Sequence, residues 1–349
     1  MSCFVRSSSL ARTPFWVKQR HSMKKLLKIL GVLIALFLLI IVGAVVYVTK
    51  FLPNIPVQAD LHIEATPERL ARGKYLAHSV AVCMDCHSSR DWAVFSGPLK
   101  PGSLGIGGER FDQTMNFPGA FIAPNITPHG LKDWSDGELY RAITSGVSKD
   151  GHPLFPIMPY PSYGKMATED VYSIIAYLRS LPSVESSTAP SKADPPVNII
   201  MHLMAMPAQP VTIPAKSDTV AYGGYLANAA GCTECHTHMV KGKAVGQPYA
   251  GGVEFAMPGG TVRSPNITPH AVTGIGAWTK QMFLDRFKAY APGTFKPVPV
   301  DTTKGEMQTV MPWTMYATMT EEDLSAIYDY LKSLPAVENN VERWSVAGK

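Results

Sequence analysis

Acidic residues are absent from the first 50 positions of this chain, which carry eight of its 32 lysines and arginines. The remainder has 24 bases against 27 acids, so the N-terminal segment accounts for the net charge of +5 and gives no argument for nucleic-acid binding. Cysteine is also scarce. Four of the five cysteines lie in two short motifs and the fifth is Cys3, which leaves none for a disulfide elsewhere.

The two cysteine motifs share the pattern C-x-x-C-H and lie 149 positions apart: Cys83-Met84-Asp85-Cys86-His87 and Cys232-Thr233-Glu234-Cys235-His236. This is the attachment signature of a c-type haem, in which two thiols bond one porphyrin and the adjacent histidine ligates the iron. A zinc site is the alternative, but zinc usually takes four protein ligands. We predict two covalently bound haems c, which would also act as staples in place of disulfides. The predicted attachment residues are Cys83, Cys86, Cys232 and Cys235, and the predicted proximal ligands are His87 and His236.

A run of 20 uncharged residues, 29–48, is long enough to cross the hydrocarbon core of a membrane as a helix. It exceeds the apolar region of a secretory signal, so we predict an uncleaved transmembrane anchor, with a cleaved signal peptide as the alternative. Lys24, Lys25 and Lys28 on its N-terminal side predict an N-in, C-out, single-pass topology in the cytoplasmic (inner) membrane. The haem domains would then lie in the periplasm, outside the cytoplasm.

Residues 1–28 form the predicted cytoplasmic N-terminus, and their first part is rich in serine and arginine. A misassigned start before Met23 is the preferred interpretation of residues 1–22. A likeness to a mitochondrial presequence is the other.

The same order of segments surrounds each cysteine motif, which predicts domain duplication. The hexapeptide Pro-Asn-Ile-Thr-Pro-His occurs at 124–129 and again at 265–270, and Met-Pro-aromatic precedes both predicted last helices, 168–180 and 321–333. Helix caps are expected at Thr66 with Pro67, at Ser135 with Glu138, and at Thr320 with Asp323. The predicted segments are a first domain at 66–184, a linker at 185–216, a second domain at 217–337 and a tail at 338–349.

The linker contains apolar residues between Val197 and Met206, which we expect to pack across a domain interface. Docking onto a partner or the membrane surface is the alternative. The Gly- and Pro-rich stretches after each cysteine motif show no helical or strand period.

The succession of a helix, C-x-x-C-H, irregular loops, Met-Pro and a last helix at 168–180 resembles class I cytochrome c. The resemblance implies a mainly α fold, with an N-terminal transmembrane helix followed by two duplicated cytochrome c domains. Their first and last helices would cross at Gly73 with Tyr177 and at Gly223 with Tyr330. More narrowly, the Gly-Gly-Glu and Pro-Asn-Ile-Thr-Pro elements look like those of the cytochrome subunits of bacterial membrane-bound alcohol and gluconate dehydrogenases. Those subunits carry one haem more than the two motifs here provide.

Met158 and Met311, in the two Met-Pro-aromatic loops, are the predicted distal ligands of the irons. Thioether ligation raises a haem potential and suits electron transfer. Many of the 16 methionines are expected to be core fillers, among them Met166 and Met319, and the histidine rivals for the distal positions are His129, His152 and His270. We interpret His238 as a solvated loop residue.

Asn125 and Asn266 match a glycosylation sequon, but their loop recurs beside both cysteine motifs. We therefore interpret both as possible haem-pocket residues that hydrogen-bond backbone or a haem propionate.

These features favour a membrane-anchored dihaem electron carrier, or the cytochrome subunit of an oxidoreductase complex, over an enzyme acting alone. Its donor would be a membrane dehydrogenase or quinol-linked complex, and its acceptor another cytochrome, a copper protein or a terminal oxidase. The alternative is a peroxidase-like dihaem enzyme with one open haem, against which the matched Met-Pro loops argue. A haem-based sensor would need a cytoplasmic output module, for which residues 1–28 are too short.

Overall fold

The computed structural model describes residues 15–240 and 243–348, and their side chains from Met23 on with the exception of Lys243. It divides into a helical unit ending at Leu52 and a compact body from Pro53 onward. The first unit is helix α1 (Phe15–Phe51), of which Met23–Phe51 is long and apolar enough, by length and composition, to cross a membrane. The predicted span, 29–48, lies within this helix.

The body consists of a first half and a second half with a similar order of helices. The helices of the first half and the connecting segment are α2 (Pro67–Tyr75), α3 (Cys83–Cys86), α4 (Pro128–Leu131), α5 (Asp136–Ser145), α6 (Tyr160–Tyr163), α7 (Thr168–Ser180) and α8 (Val197–Ile200). Those of the second half are α9 (Thr219–Ala229), α10 (Cys232–His236), α11 (Lys280–Lys288), α12 (Trp313–Tyr316) and α13 (Glu321–Ser333). A π-helical turn, Leu76–Val80, extends α2 toward the first cysteine motif.

Three predicted helix starts can be compared with the structure. Thr66 caps α2 by accepting from the Arg69 N–H, and Ser135 with Glu138 forms the full capping box of α5, as predicted. At α13 the prediction is half right. Thr320 accepts from the Asp323 N–H, but the Thr320 N–H donates to the Tyr75 hydroxyl instead of to the Asp323 carboxylate.

Each half has a small antiparallel sheet, and two strands of each sheet lie in the stretch where the sequence showed no helical or strand period. One joins β1 (Arg110–Phe111), β2 (Gly119–Ile122) and β3 (Lys192–Ala193), and the other joins β6 (Glu254–Met257), β7 (Gly260–Arg263) and β8 (Trp344–Val346). A hairpin, β4 (Met239–Val240) with β5 (Lys243–Ala244), follows the second motif. Strands of two to four residues are too short to show an alternation of apolar and polar residues in the sequence. The predicted linker thus supplies β3 to the first half, and the predicted tail supplies β8 to the second.

The first and last helices of each half cross at a glycine. A Cβ atom added to Gly73 would lie 1.8 Å from the Ser173 carbonyl oxygen, and one added to Gly223 would lie 1.9 Å from that of Ala326. Only glycine permits such close approach of two backbones. Tyr177 lies against Gly73 as expected, whereas Tyr330 lies against Gly224 rather than Gly223.

The apolar stretch of the linker is only partly buried. Met201 is buried and Val197, Ile199 and Met204 are half-buried, whereas Ile200 and Leu203 are 46% and 61% exposed. Packing of this stretch across a domain interface stays a prediction.

Candidate haem sites

Both cysteine motifs form a short helix that follows a residue with left-handed backbone. Val82 precedes α3 with φ 44°, and Gly231 precedes α10 with φ 64°. The turn ends the preceding helix and places each pair of thiols one helical turn apart. All four cysteines are free, and burial raises the pKa of the thiols to about 12 for Cys83 and about 11 for Cys235. The sulfurs are therefore neutral at pH 7.

The two motif histidines are held in the same way. The Nδ1 atom of His87 lies 2.8 Å from the Pro124 carbonyl oxygen, and that of His236 lies 2.8 Å from the Pro265 carbonyl oxygen. Burial lowers the pKa of both imidazoles, which favours the neutral ring. A neutral imidazole that donates through Nδ1 keeps the Nε2 lone pair for a metal.

The accepting prolines belong to the repeated Pro-Asn-Ile-Thr-Pro loops, and the asparagines stiffen those loops. Asn125 accepts from the N–H and hydroxyl of Thr127 and donates to the Val184 and Ser186 carbonyls. Asn266 accepts from Thr268 in the same way and donates to the Val337 carbonyl. The expected hydrogen bonds to backbone are therefore present. A contact of either asparagine with a haem propionate stays a prediction.

Met158 and Met311 both start the turn before a short helix, half-buried against the core. Each carbonyl accepts from the N–H two residues on, at 2.7 Å from Tyr160 and at 2.8 Å from Trp313. Met166 and Met319 are 1% and 2% exposed and fill the core.

The rival histidines have other partners or positions. His152 is exposed and its Nδ1 lies 2.5 Å from Asp150, while the Nδ1 of His270 accepts from the Thr273 N–H. His129 lies in α4. His238 lies in a loop and is half-buried, with Nδ1 2.7 Å from the Gly252 carbonyl oxygen, so its side chain is partly solvated.

The residues around Met158 fit a bound group that carries polar substituents. Tyr160 is fully buried, and its hydroxyl and the Arg141 Nε are the buried side-chain polar atoms without a hydrogen-bond partner in the described part of the chain. A buried hydroxyl with no partner costs about 1–3 kcal/mol. The donor set of two thiols, an imidazole and a thioether, together with this hydroxyl, therefore suits a haem c with its propionates.

Two buried tyrosines, which were not predicted from the sequence, each hydrogen-bond to the backbone just before the cysteine motif of their own half. The Tyr163 hydroxyl donates to the Ala81 carbonyl at 2.6 Å, and the Tyr316 hydroxyl donates to the Ala230 carbonyl at 2.5 Å. Burial raises the pKa of both phenols well above the usual range. The neighbouring Ser162 donates to Glu234 of the second motif at 2.6 Å, so the two halves are in contact here.

The charges beside the two motifs differ. In the first half, Arg90 pairs with Asp85 at 2.8 Å, both side chains are buried, and the guanidinium lies 4.1 Å from the ring centroid of Trp92. Burial raises the pKa of Asp85 to about 6, although Arg90 opposes that rise. The matching acid of the second half, Glu234, is exposed.

Paired hydrogen bonds join the first helix of each half to the last helix of the other. The Tyr75 hydroxyl donates to Asp323 at 2.5 Å, and the Tyr225 hydroxyl donates to Asp170 at 2.5 Å. Both carboxylates are buried, and Asp170 also pairs with Arg72. No local pattern could have revealed these partners, because they lie up to 248 positions apart.

Comparison with known proteins places these features in context. The cytochrome c family model matches residues 220–335. The cytochrome c subunit of alcohol dehydrogenase (quinone) from Gluconacetobacter polyoxogenes is 29% identical over 294 residues, covering 78% of this chain and 58% of that protein. The gluconate 2-dehydrogenase cytochrome c subunit of Pantoea cypripedii is 28% identical over 292 residues, covering 78% and 61%. A diheme cytochrome c-type protein of Cereibacter sphaeroides is 30% identical over 269 residues, covering 73% and 83%. The chain thus spans less than two thirds of the length of the two dehydrogenase subunits.

Proposed function

This chain belongs to the family of c-type cytochromes, and from that premise we propose that it is a membrane-anchored dihaem carrier of electrons. One observation carries the proposal. Both halves present the same constellation, a C-x-x-C-H turn whose histidine is held through Nδ1 by a proline carbonyl, with a Met-Pro turn in the same half. The same repetition supports two duplicated cytochrome c domains, at 66–184 and 217–337.

The protein residues divide the work of holding two cofactors. Cys83 and Cys86, and likewise Cys232 and Cys235, would attach the two porphyrins. His87 and His236, as neutral imidazoles, and Met158 and Met311 would be the protein ligands of the irons. When bound, haem c would supply a one-electron iron couple, which suits electron transfer.

We place the donor among membrane dehydrogenases, because two relatives are named as cytochrome c subunits of alcohol and gluconate dehydrogenases. The acceptor would be another cytochrome or a terminal oxidase. The apolar helix α1 is the proposed anchor, with the body in the periplasm, in line with the lysines that flank the span.

Haem content and carbon monoxide binding test this proposal on the detergent-solubilised full chain. We expect two haems per chain, one haem in Cys86→Ala and in Cys235→Ala, and no carbon monoxide bound by the reduced wild type. Met158→Leu or Met311→Leu should open one iron to carbon monoxide. A single haem in the wild type would contradict the dihaem assignment, and carbon monoxide bound at one wild-type haem would favour the peroxidase-like alternative.

A further inference from the structure

A loop of the first half contacts the turn of the second half that contains Met311. We call residues 91–97 the bridging loop. Its base is tied to the first cysteine motif, because Arg90 pairs with Asp85 and also donates to the Ser96 and Gly97 carbonyls, at 2.7 and 2.8 Å. The loop is thus held at the attachment site of the first haem.

The outer edge of the bridging loop is docked on the second half by backbone and side-chain bonds. The Phe95 N–H donates to the Val298 carbonyl at 2.8 Å, and the Val300 N–H donates to the Ala93 carbonyl at 2.9 Å. Gln308 is fully buried, and its amide donates to the Trp92 and Val94 carbonyls at 2.9 Å each. The docking therefore combines backbone pairing near the surface with the buried side chain of Gln308.

Ser96 is the point where the loop meets the predicted ligand. It is fully buried, with φ 66°, and its N–H donates to the Gln308 side-chain carbonyl at 2.8 Å. Its hydroxyl donates to the Met311 carbonyl at 2.7 Å and accepts from the Trp313 N–H at 3.2 Å. A left-handed, buried serine is costly, and it persists where surrounding contacts over-determine it.

The turn of the first half has a different set of contacts. The Met158 carbonyl accepts from the Tyr160 N–H of its own turn, and among the described residues no side chain of the second half hydrogen-bonds to it. The β4–β5 hairpin follows the second motif at the place where the bridging loop follows the first.

We propose that Ser96 is a positioning residue that holds Met311 on the iron of the second haem, and that the bridging loop ties this ligand to the attachment motif of the first haem. The proposal rests on the proposed function, in which Met311 is the distal ligand. Without the hydroxyl, the Met311 carbonyl and the Trp313 N–H lose their link to the bridging loop. The turn would then open more often, and Met311 would leave the iron more often.

The size of the effect follows from the loss of these hydrogen bonds. We expect Ser96→Ala to raise the open fraction about tenfold, equivalent to about 1.4 kcal/mol. An external ligand that binds only the open state would then bind about tenfold more tightly. Imidazole is a suitable probe, because it competes with methionine for oxidised iron.

The experiment follows the methionine-to-iron charge-transfer band in the far red as imidazole is added to the oxidised, haem-loaded full chain. In a Met158→Leu background the remaining band reports Met311, and Ser96→Ala should lower the imidazole concentration at half-loss about tenfold. Ser96→Gly removes the same hydroxyl but relieves the left-handed backbone, so it should fold and show the same shift. Ser173→Ala, which removes a buried hydroxyl bonded within α7, should leave the titration unchanged.

A Met311→Leu background supplies the matched control, because the band then reports Met158, and Ser96→Ala should not move it. An unchanged titration in the Met158→Leu background would overturn the positioning role of Ser96. An equal shift in both backgrounds would also overturn it, since it would indicate general loosening. If the band survives in the double variant Met158→Leu/Met311→Leu, the ligand assignment itself fails, which is a different result.

Discussion

His87 and His236 each lie 2.8 Å, through Nδ1, from a proline carbonyl oxygen, whereas Met311 is reached by a serine from the other half and Met158 is not. The acids of the two motifs differ likewise, since Asp85 is buried against Arg90 and Glu234 is exposed. Each half thus builds the histidine contact from its own loop, whereas the contact to the Met311 carbonyl exists only because the two halves pack together.

The buried carboxylates at the start of α7 and α13 also differ, although each accepts from a tyrosine of the other half. Asp170 has both Arg72 and the Tyr225 hydroxyl as partners, while Asp323 accepts from the hydroxyls of Tyr75 and Tyr222. Near-copies of one arrangement thus differ in local charge, which would give the two proposed haems unequal potentials.

The largest effect is expected at the buried ion pair. Arg90→Leu leaves Asp85 buried without its cation, and we expect a loss of about 3–5 kcal/mol in the free energy of unfolding. Glu234→Gln, at the matching exposed position, should cost less than about 1 kcal/mol. Denaturant unfolding of both variants measures the difference, and equal losses would show that the two motifs do not differ in this way.

The glycines at the helix crossings should affect both halves alike. Gly73→Ala and Gly223→Ala each place a Cβ within 2 Å of a backbone oxygen, and we expect each to cost about 1–3 kcal/mol or more, because backbone must move. Gly224→Ala is the control, since its Cβ would meet the Tyr330 ring at 3.0 Å and a side chain can shift. A loss confined to one of the two crossings would contradict their equivalence.

The smallest effects are expected at the tyrosines that join the halves. Tyr75→Phe leaves Asp323 with Tyr222 alone and removes the acceptor of the Thr320 N–H, so we expect a loss of about 2 kcal/mol. Tyr225→Phe likewise removes the acceptor of the Ala167 N–H, but it leaves Asp170 paired with Arg72, so the loss should be smaller, about 1 kcal/mol. Thermal unfolding followed at the haem absorption would detect the difference. A larger loss for Tyr225→Phe than for Tyr75→Phe would mean that Arg72 does not compensate Asp170 for the lost hydrogen bond.

Much of the local structure could be predicted from the sequence. The last helices, 168–180 and 321–333, and the caps at Thr66 and at Ser135 with Glu138 were confirmed, because helical period and capping depend on residues a few positions apart. The strands were missed, since pairing rather than pattern stabilises segments of two to four residues. The exposure of Ile200 and Leu203 was not predicted, because the burial of a side chain depends on its tertiary contacts.

The sequence by itself determined the chemistry of the candidate sites, because C-x-x-C-H encodes its own geometry within one helical turn. Only the tertiary structure decided how the two sites are related. The Ser96 hydroxyl meets the Met311 carbonyl across 215 positions, and the Tyr75 hydroxyl meets Asp323 across 248. Such partners come together only when two complete halves pack, and that packing makes two similar sites different.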